Sequence, residues 1–167
     1  ENYWRSIILF GRNVASYKFA LGKSLLEFAD RQDDFIRLDD LAGPFSRNVC
    51  EHLQGADKQA TSKSSRFLTA CRDFNAGNIE ISQLIDTTTK LGFVNVIDAF
   101  HVVHDGSIPV SFYVDERTTG KGIRLTDEFR QLSSHYQFQN LPFEIESRWQ
   151  LVQTAWAENL PNSVMTV

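Results

Sequence analysis

Residues 108–125 read IPVSFYVDERTTGKGIRL, and this stretch decides the fold class, because here the hydrophobic period of the chain turns from helical to alternating. Val110, Phe112 and Val114 fall on one side of an extended segment, Thr119, Gly120, Lys121 and Gly122 supply turn chemistry, and Ile123, Arg124 and Leu125 resume the extended pattern. The preceding residues 93–103 mix β-branched and aromatic side chains and continue the same reading. A β-hairpin is expected here, with Arg117, Lys121 and Arg124 about its tip.

Outward from this hairpin the chain reads as helices. Residues 3–10 form an apolar run compatible with a buried helix, broken by Gly11, Arg12 and Asn13. Residues 17–29 predict an amphipathic helix with Ala20, Leu21, Leu25 and Phe28 on one face and Ser16 as its N-cap. Residues 36–41 suggest a short strand or an extended lead into a helix, and Pro44 marks a helix start near Phe45 that runs to about Leu53 and ends at Gly55. A further helix over residues 64–74 carries Phe67, Leu68, Cys71 and Phe74 and closes at Gly77, and another over 82–91 has Gly92 just past its end. After the hairpin, Thr126 or Asp127 caps a helix through Leu132. Residues 143–159 give a long helix with Ile145, Trp149, Val152 and Trp156 on one stripe. The expected fold is therefore α+β: a helix-rich domain with a small antiparallel hairpin resembling the wing of a winged-helix module.

The length of 167 residues and 42% hydrophobic content suit one domain with a full core, and no internal repeat or linker divides the chain over 1–167. The longest apolar runs fall far short of a membrane span and no signal-peptide pattern opens the chain, so a cytoplasmic location is expected. Cys50 and Cys71 lie in amphipathic helical segments where a small thiol is ordinary core material. The net charge of −4 weighs against a nucleic-acid partner, but the charges are uneven. Acids gather at Asp30, Asp33, Asp34, Asp39 and Asp40, while Lys58, Lys63, Arg66 and Arg72 form a basic stretch interrupted by Asp57 and Asp73. Such asymmetry permits a basic face on an acidic protein, although solvated helix faces account for each cluster equally well.

No common catalytic or cofactor constellation is present: no Cys-x-x-Cys, zinc-protease, phosphate-loop, dinucleotide or nucleophile-elbow pattern. His101 and His104, with Asp98 and Asp105 nearby, are three apart on a segment read as extended, where they point to opposite faces and serve a shared metal poorly. Asp115 and Glu116 with Lys121, and the pair Glu144 and Glu146, come nearest to a metal-dependent nuclease site. They read equally as a turn and a helix first turn. Neither catalytic residues, a metal nor a cofactor is assigned. Two segments suggest a nucleic acid instead. Arg12, Asn13, Ser16, Tyr17 and Lys18 put donors around a helix N-terminus, a natural place for a phosphate, and the hairpin carries Lys121 and Arg124. The bland readings are a capped helix and a structural hairpin with a polar tip. Trp149 and Trp156 are candidates for a protein-interaction surface, in which a second copy of the chain is one partner to consider.

The opening Asn2-Tyr3-Trp4-Arg5-Ser6-Ile7-Ile8-Leu9-Phe10-Gly11, with Ala15-Ser16-Tyr17-Lys18-Phe19-Ala20-Leu21, resembles the N-terminal region of bacterial HNH-type restriction-like endonucleases. The resemblance implies a DNA-recognition domain, a piece of a longer protein whose catalytic HNH module lies further towards the C-terminus, acting on double-stranded DNA. One class in that group recognises phosphorothioate DNA, pairing an Ala-Pro-His-Lys-Pro segment with a later Tyr-Pro strand. Residues Ala15 to Phe19 are similar to the first and Ile108-Pro109 with Phe112 to the second, with Tyr17, Phe19 and Ile108 replacing His, Pro and Tyr. By this resemblance Tyr17, Ile108, Pro109 and Phe112 would line an apolar sulfur pocket that penalises the more strongly hydrated oxygen. Lys18, Arg12, Lys121 and Arg124 would neutralise phosphates, and Asn13 or His101 would reach a base edge.

Overall fold

A computed structural model of the chain describes residues 1–11, 16–60, 65–104 and 106–158. In chain order the elements are α1 (Asn2–Phe10), α2 (Tyr17–Glu27), β1 (Phe35–Arg37), α3 (Leu38–Gly55), α4 (Arg66–Asn75), α5 (Ile81–Thr87), α6 (Val96–Ala99), β2 (Val102–Val103), β3 (Gly106–Ser107), β4 (Tyr113–Glu116), α7 (Arg117–Gly120), β5 (Gly122–Leu125), α8 (Asp127–Ser133) and α9 (Leu141–Ala157). The architecture is α+β, helix-rich with a small antiparallel sheet. No helix among the described residues is long and apolar enough to cross a membrane.

Helix α2 is the centre of the molecule. The expected amphipathic pattern does not hold there, since Lys18, Gly22 and Ser24 are buried along with Phe19, Ala20, Leu21, Leu25 and Leu26. The cause is packing: α1, α3, α6 and α9 surround α2, so a helix read from one apolar face alone is covered on several. Its polar interior groups are satisfied, Ser24 locally, where its Oγ donates to Ala20 O at 2.6 Å, and Lys18 across the fold, where its Nζ donates to Val102 O.

Helix α3 begins at Leu38, directly out of β1, and not at Pro44. Leu41, Ala42 and Phe45 bury a continuous face across the proline. The backbone bond that Pro44 cannot donate would have ended on Asp40, an exposed residue, so the helix tolerates the loss where solvent lies. Helix α4 starts at Arg66, inside the expected range of 64–74, because Ser65 caps it, its Oγ accepting from the Leu68 N–H at 3.2 Å. Gly77, at φ +78°, turns the chain towards α5. Helix α5 does not simply end before Gly92. It widens into a π-helical turn over Thr88–Gly92, where a β-carbon at Gly92 would press on Thr88 and Phe45 at 3.2 and 3.3 Å.

The expected hairpin is β4 and β5, but the sheet gains a third strand and its phase differs. The order is β1-β5-β4, all antiparallel, with Ile36 opposite Ile123 and Tyr113 opposite Leu125. Ile36, Tyr113, Ile123 and Leu125 face the core while Arg124 and Val114 face outward, Val114 being 51% exposed. Val114 therefore does not share the buried side of Phe112. Residues 108–112 are not a strand, because Pro109 has no N–H and the neighbouring amides are committed elsewhere. Ile108 N–H donates to His101 O at 3.0 Å and Phe112 N–H to His101 Nε2 at 2.9 Å. Phe112 and Tyr113 are consequently both buried, a break in alternation that a strand pattern hides. Residues 93–103 likewise depart from the extended reading: Val96, Ile97 and Phe100 pack from α6 and its end, leaving only Val102 and Val103 to pair with β3. Tertiary packing overrides β propensity in this segment.

The buried apolar residues form one cluster. In it, Trp4 meets Phe112 edge-on at 5.2 Å and Phe100 at 5.6 Å, and Phe45 contacts Phe67 and Phe93 at 5.5 and 4.8 Å. Trp149 and Trp156 on α9 are 0% and 3% exposed, so neither is a surface anchor. Cys50 and Cys71 sit in the same core, both as free thiols.

Candidate nucleic-acid interface

The start of α2, expected to present donors to a phosphate, is built inward. Ser16 is 0% exposed and makes no side-chain cap bond. Its Oγ accepts from Trp149 Nε1 at 2.7 Å and donates to the Gln59 side-chain oxygen, which itself accepts from Trp149 Nε1 at 2.9 Å. The surrounding groups extend the knot. His52 stacks flat on Trp149 at 3.4 Å, with its ring nitrogens 2.8 Å from Gln153 Oε1 and 2.9 Å from Glu146, and Lys23 bonds Glu146 at 2.9 Å. Burial pushes the Glu146 carboxyl up, but the bonds from Lys23 and His52 prevail and hold it below its usual range. The Ser16 hydroxyl is thus an interior link between α2, the segment after α3, and α9.

Tyr17 and Lys18 diverge from one another. The Tyr17 ring packs against Phe45 and Phe67, its hydroxyl lies 2.7 Å from Ser65 Oγ, and burial pushes its phenol up. Lys18, 6% exposed, sends Nζ to Val102 O at 2.9 Å. His101 lies beside it. Burial, reinforced by the Lys18 charge, holds His101 down to about 4, so its imidazole is neutral and Nε2 accepts the Phe112 N–H. Lys18, His101, Ile108 and Phe112 therefore share one neighbourhood, while Tyr17 belongs to another: Phe112 packs on Trp4 and His101, and neither is among the rings that Tyr17 touches. Ile108 is half-buried and Pro109 exposed. Arg12, Asn13 and Ala15 lie outside the described residues.

At the hairpin tip the expected basic group is largely paired. Arg117 bonds Asp115 at 2.7 Å and Asp98 at 2.8 Å, which hold its guanidinium firmly protonated and the Asp115 carboxyl below the usual range. Arg124 bonds Glu116 at 2.7 Å and lies over the Phe35 ring at 5.3 Å. Asp115 and Glu116 thus point to different arginines and do not converge with Lys121 on a metal. The carboxylates of Glu144 and Glu146 are likewise engaged, by Arg5 and by Lys23 with His52. Among the described residues no group of three or more His, Cys, Asp or Glu side chains is arranged to hold a metal ion. Lys121, exposed and in the left-handed region at φ 57°, closes the turn into β5.

The sequence reading did not single out a groove of about 580 Å³ between α4 and α5. Arg66, Thr69 and Asp73 line one wall and Gln83, Thr87 and Lys90 the other. A signal was present in the chain: these residues recur at spacings of three and four, so each helix carries a polar stripe opposite its apolar one. Lys90 pairs with Asp86 at 3.0 Å, whereas Arg66 has no carboxylate partner among the described residues. The groove and the hairpin tip are neighbours, because Arg117 also donates to Phe93 O at 3.2 Å, immediately after the π-helical turn that carries Lys90. No known protein family, curated protein or solved structure matches the chain.

Proposed function

We propose that this chain is a double-stranded-DNA-binding domain whose contact surface combines the α4–α5 helix pair with the tip of the β4–β5 hairpin. The observation that supports the reading is the groove between the helices, which carries Arg66 on one wall and Lys90 on the other, together with the bond from Arg117 at the hairpin to Phe93 O, just past the turn that holds Lys90. Cations placed on a helix pair and a hairpin tip suit phosphates on either side of a groove, with Thr69, Gln83 and Thr87 as hydrogen-bonding groups between them. Under the resemblance to HNH-type nucleases, such a domain would deliver a catalytic module to its site.

The sulfur-reading form receives less support from the geometry. Tyr17 does not meet Phe112, and the hollow beside Phe112, about 350 Å³, is lined by Glu128, whose charge opposes an anionic backbone, and by Glu1, which is already paired with Arg5. Ordinary backbone recognition is therefore the form we favour. Fluorescence anisotropy with a short duplex at low salt tests it, using the same duplex with one phosphorothioate linkage as a second arm. Binding of both with equal affinity is expected. No binding to either would overturn the DNA reading, and preference for the sulfur duplex would restore the more specific form.

A further inference from the structure

The two cysteines, twenty-one positions apart in sequence, meet across the packed helices α3 and α4. Cys50 Sγ lies 3.9 Å from the Cys71 carbonyl oxygen, which puts the two residues in direct contact across the helix pair. The two are not equivalent in access. Cys71 is fully enclosed, at 0% exposure. Cys50, although also buried, forms part of the wall of a solvent-open groove of about 490 Å³ bounded by Pro44, Phe74, Asn75, Ile81 and Leu84. Asn75 fixes that wall by donating to Cys50 O at 2.9 Å.

We propose that Cys50 is an oxidant-sensitive modification site, reached through this groove, whose product resolves as a disulfide with Cys71. Peroxide is the chemical class of oxidant that the groove admits, being small and uncharged. In the first step the Cys50 sulfur attacks one peroxide oxygen and the O–O bond breaks. The sulfur is oxidised by two electrons to a sulfenic acid, and the second oxygen leaves as water after taking up the thiol proton. In the second step the Cys71 sulfur attacks the Cys50 sulfur, the S–S bond forms, and the S–O bond breaks. The departing hydroxide leaves as water with the Cys71 proton. Access sets this division of roles: Cys50 lines the open groove, whereas Cys71 is fully enclosed and meets Cys50 from the interior side. The inference is independent of the DNA reading.

The test treats the full chain with hydrogen peroxide, blocks remaining thiols with N-ethylmaleimide after denaturation, and maps peptides by mass spectrometry. Both cysteines are expected to lose maleimide reactivity together, yielding a cross-linked peptide pair lighter by two hydrogens than the reduced pair. In Cys71→Ser, Cys50 should instead be trapped by dimedone as sulfenic acid. In Cys50→Ser, Cys71 should stay unmodified at peroxide doses that consume Cys50 in the parent. Maleimide reactivity unchanged by peroxide in the parent chain would overturn the proposal, as would oxidation of Cys71 in Cys50→Ser at the parental rate. Circular dichroism of each variant establishes that it is folded before its result is read.

Discussion

Replacing Ser16 by Ala should cost stability and leave DNA affinity unchanged, the opposite of what a phosphate ligand at the head of α2 would show. Trp149 Nε1 is a buried donor shared between two acceptors, Ser16 Oγ at 2.7 Å and Gln59 Oε1 at 2.9 Å. Removing the serine hydroxyl leaves the indole with Gln59 but breaks two buried hydrogen bonds, the one from Trp149 and the one to Gln59, so about 2 kcal/mol is expected. Gln59→Leu leaves the indole with Ser16 but removes the bonds accepted from Ser16 and Trp149 and those donated to Ala56 O at 2.8 Å and to Gln153 Oε1 at 2.9 Å, so the loss should be larger, about 3–4 kcal/mol. Urea unfolding of the parent and the two single variants measures both losses. A loss below about 0.5 kcal/mol in Ser16→Ala would refute the buried-bond account. A fall in DNA affinity for folded Ser16→Ala would refute its interior role.

Three further outcomes follow from the same geometry. If Arg66, Lys90 and Lys121 each neutralise one phosphate, the log–log salt slope is about −2.7, a fourfold rise in salt lowers affinity about 40-fold, and each alanine variant flattens the slope by about 0.9; slopes unaltered in Arg66→Ala and Lys121→Ala would place the interface elsewhere. Burial holds His101 down to about 4 in the folded chain against about 6.5 when unfolded, so stability present above about pH 6.5 is lost as pH falls towards 4, by about 3 kcal/mol at most. His101→Gln keeps an acceptor for Phe112 N–H and should lose less stability on acidification; identical pH profiles would remove His101 as the cause. At Gly122 a β-carbon would collide with Ile36 O and the Phe35 ring, so Gly122→Ala should cost at least about 1 kcal/mol by thermal unfolding, and a neutral result would contradict the β1–β5 register.

The legible parts of the fold were those in which local pattern and tertiary demand agree. Trp4, Ile7 and Ile8 on α1, and Ile145, Trp149, Val152 and Trp156 on α9, form stripes at helical spacing that become core. Ser65 and Thr126 cap helices because each can accept from the N–H three residues on. The misread segments are those where a long-range partner takes over. The His101 side chain captures the Phe112 amide and shifts the strand phase, while four surrounding helices erase the amphipathic signature of α2. At the candidate site, Lys121 and Arg124 were visible as a basic tip. That Glu116 would claim Arg124, and that Ser16 would be claimed by Gln59 and Trp149, depends on partners eight to more than a hundred residues away, which no local pattern encodes.

Electrostatics explain how an acidic chain could hold the proposed DNA-facing surface and why that surface would be narrow. Most of its arginines are already committed: Arg5 to Glu144, Arg37 to Asp39, Arg47 to Glu27, Arg72 to Asp57, Arg117 to Asp98 and Asp115, Arg124 to Glu116, and Arg130 to Asp34. Each such pair is close to neutral beyond a Debye length of about 8 Å at physiological salt. The excess acids repel a phosphate backbone at long range, and the attraction that remains is local, from groups such as Arg66 and Lys121. Such a surface would bind non-specific DNA weakly, because few counterions would be released. Discrimination then falls to short-range contacts in the groove between α4 and α5. Reversing the charge of a committed acid far from that groove, as in Asp39→Lys, should therefore raise affinity for all duplexes modestly without changing their ranking, whereas Gln83→Ala or Thr87→Ala should alter the ranking itself.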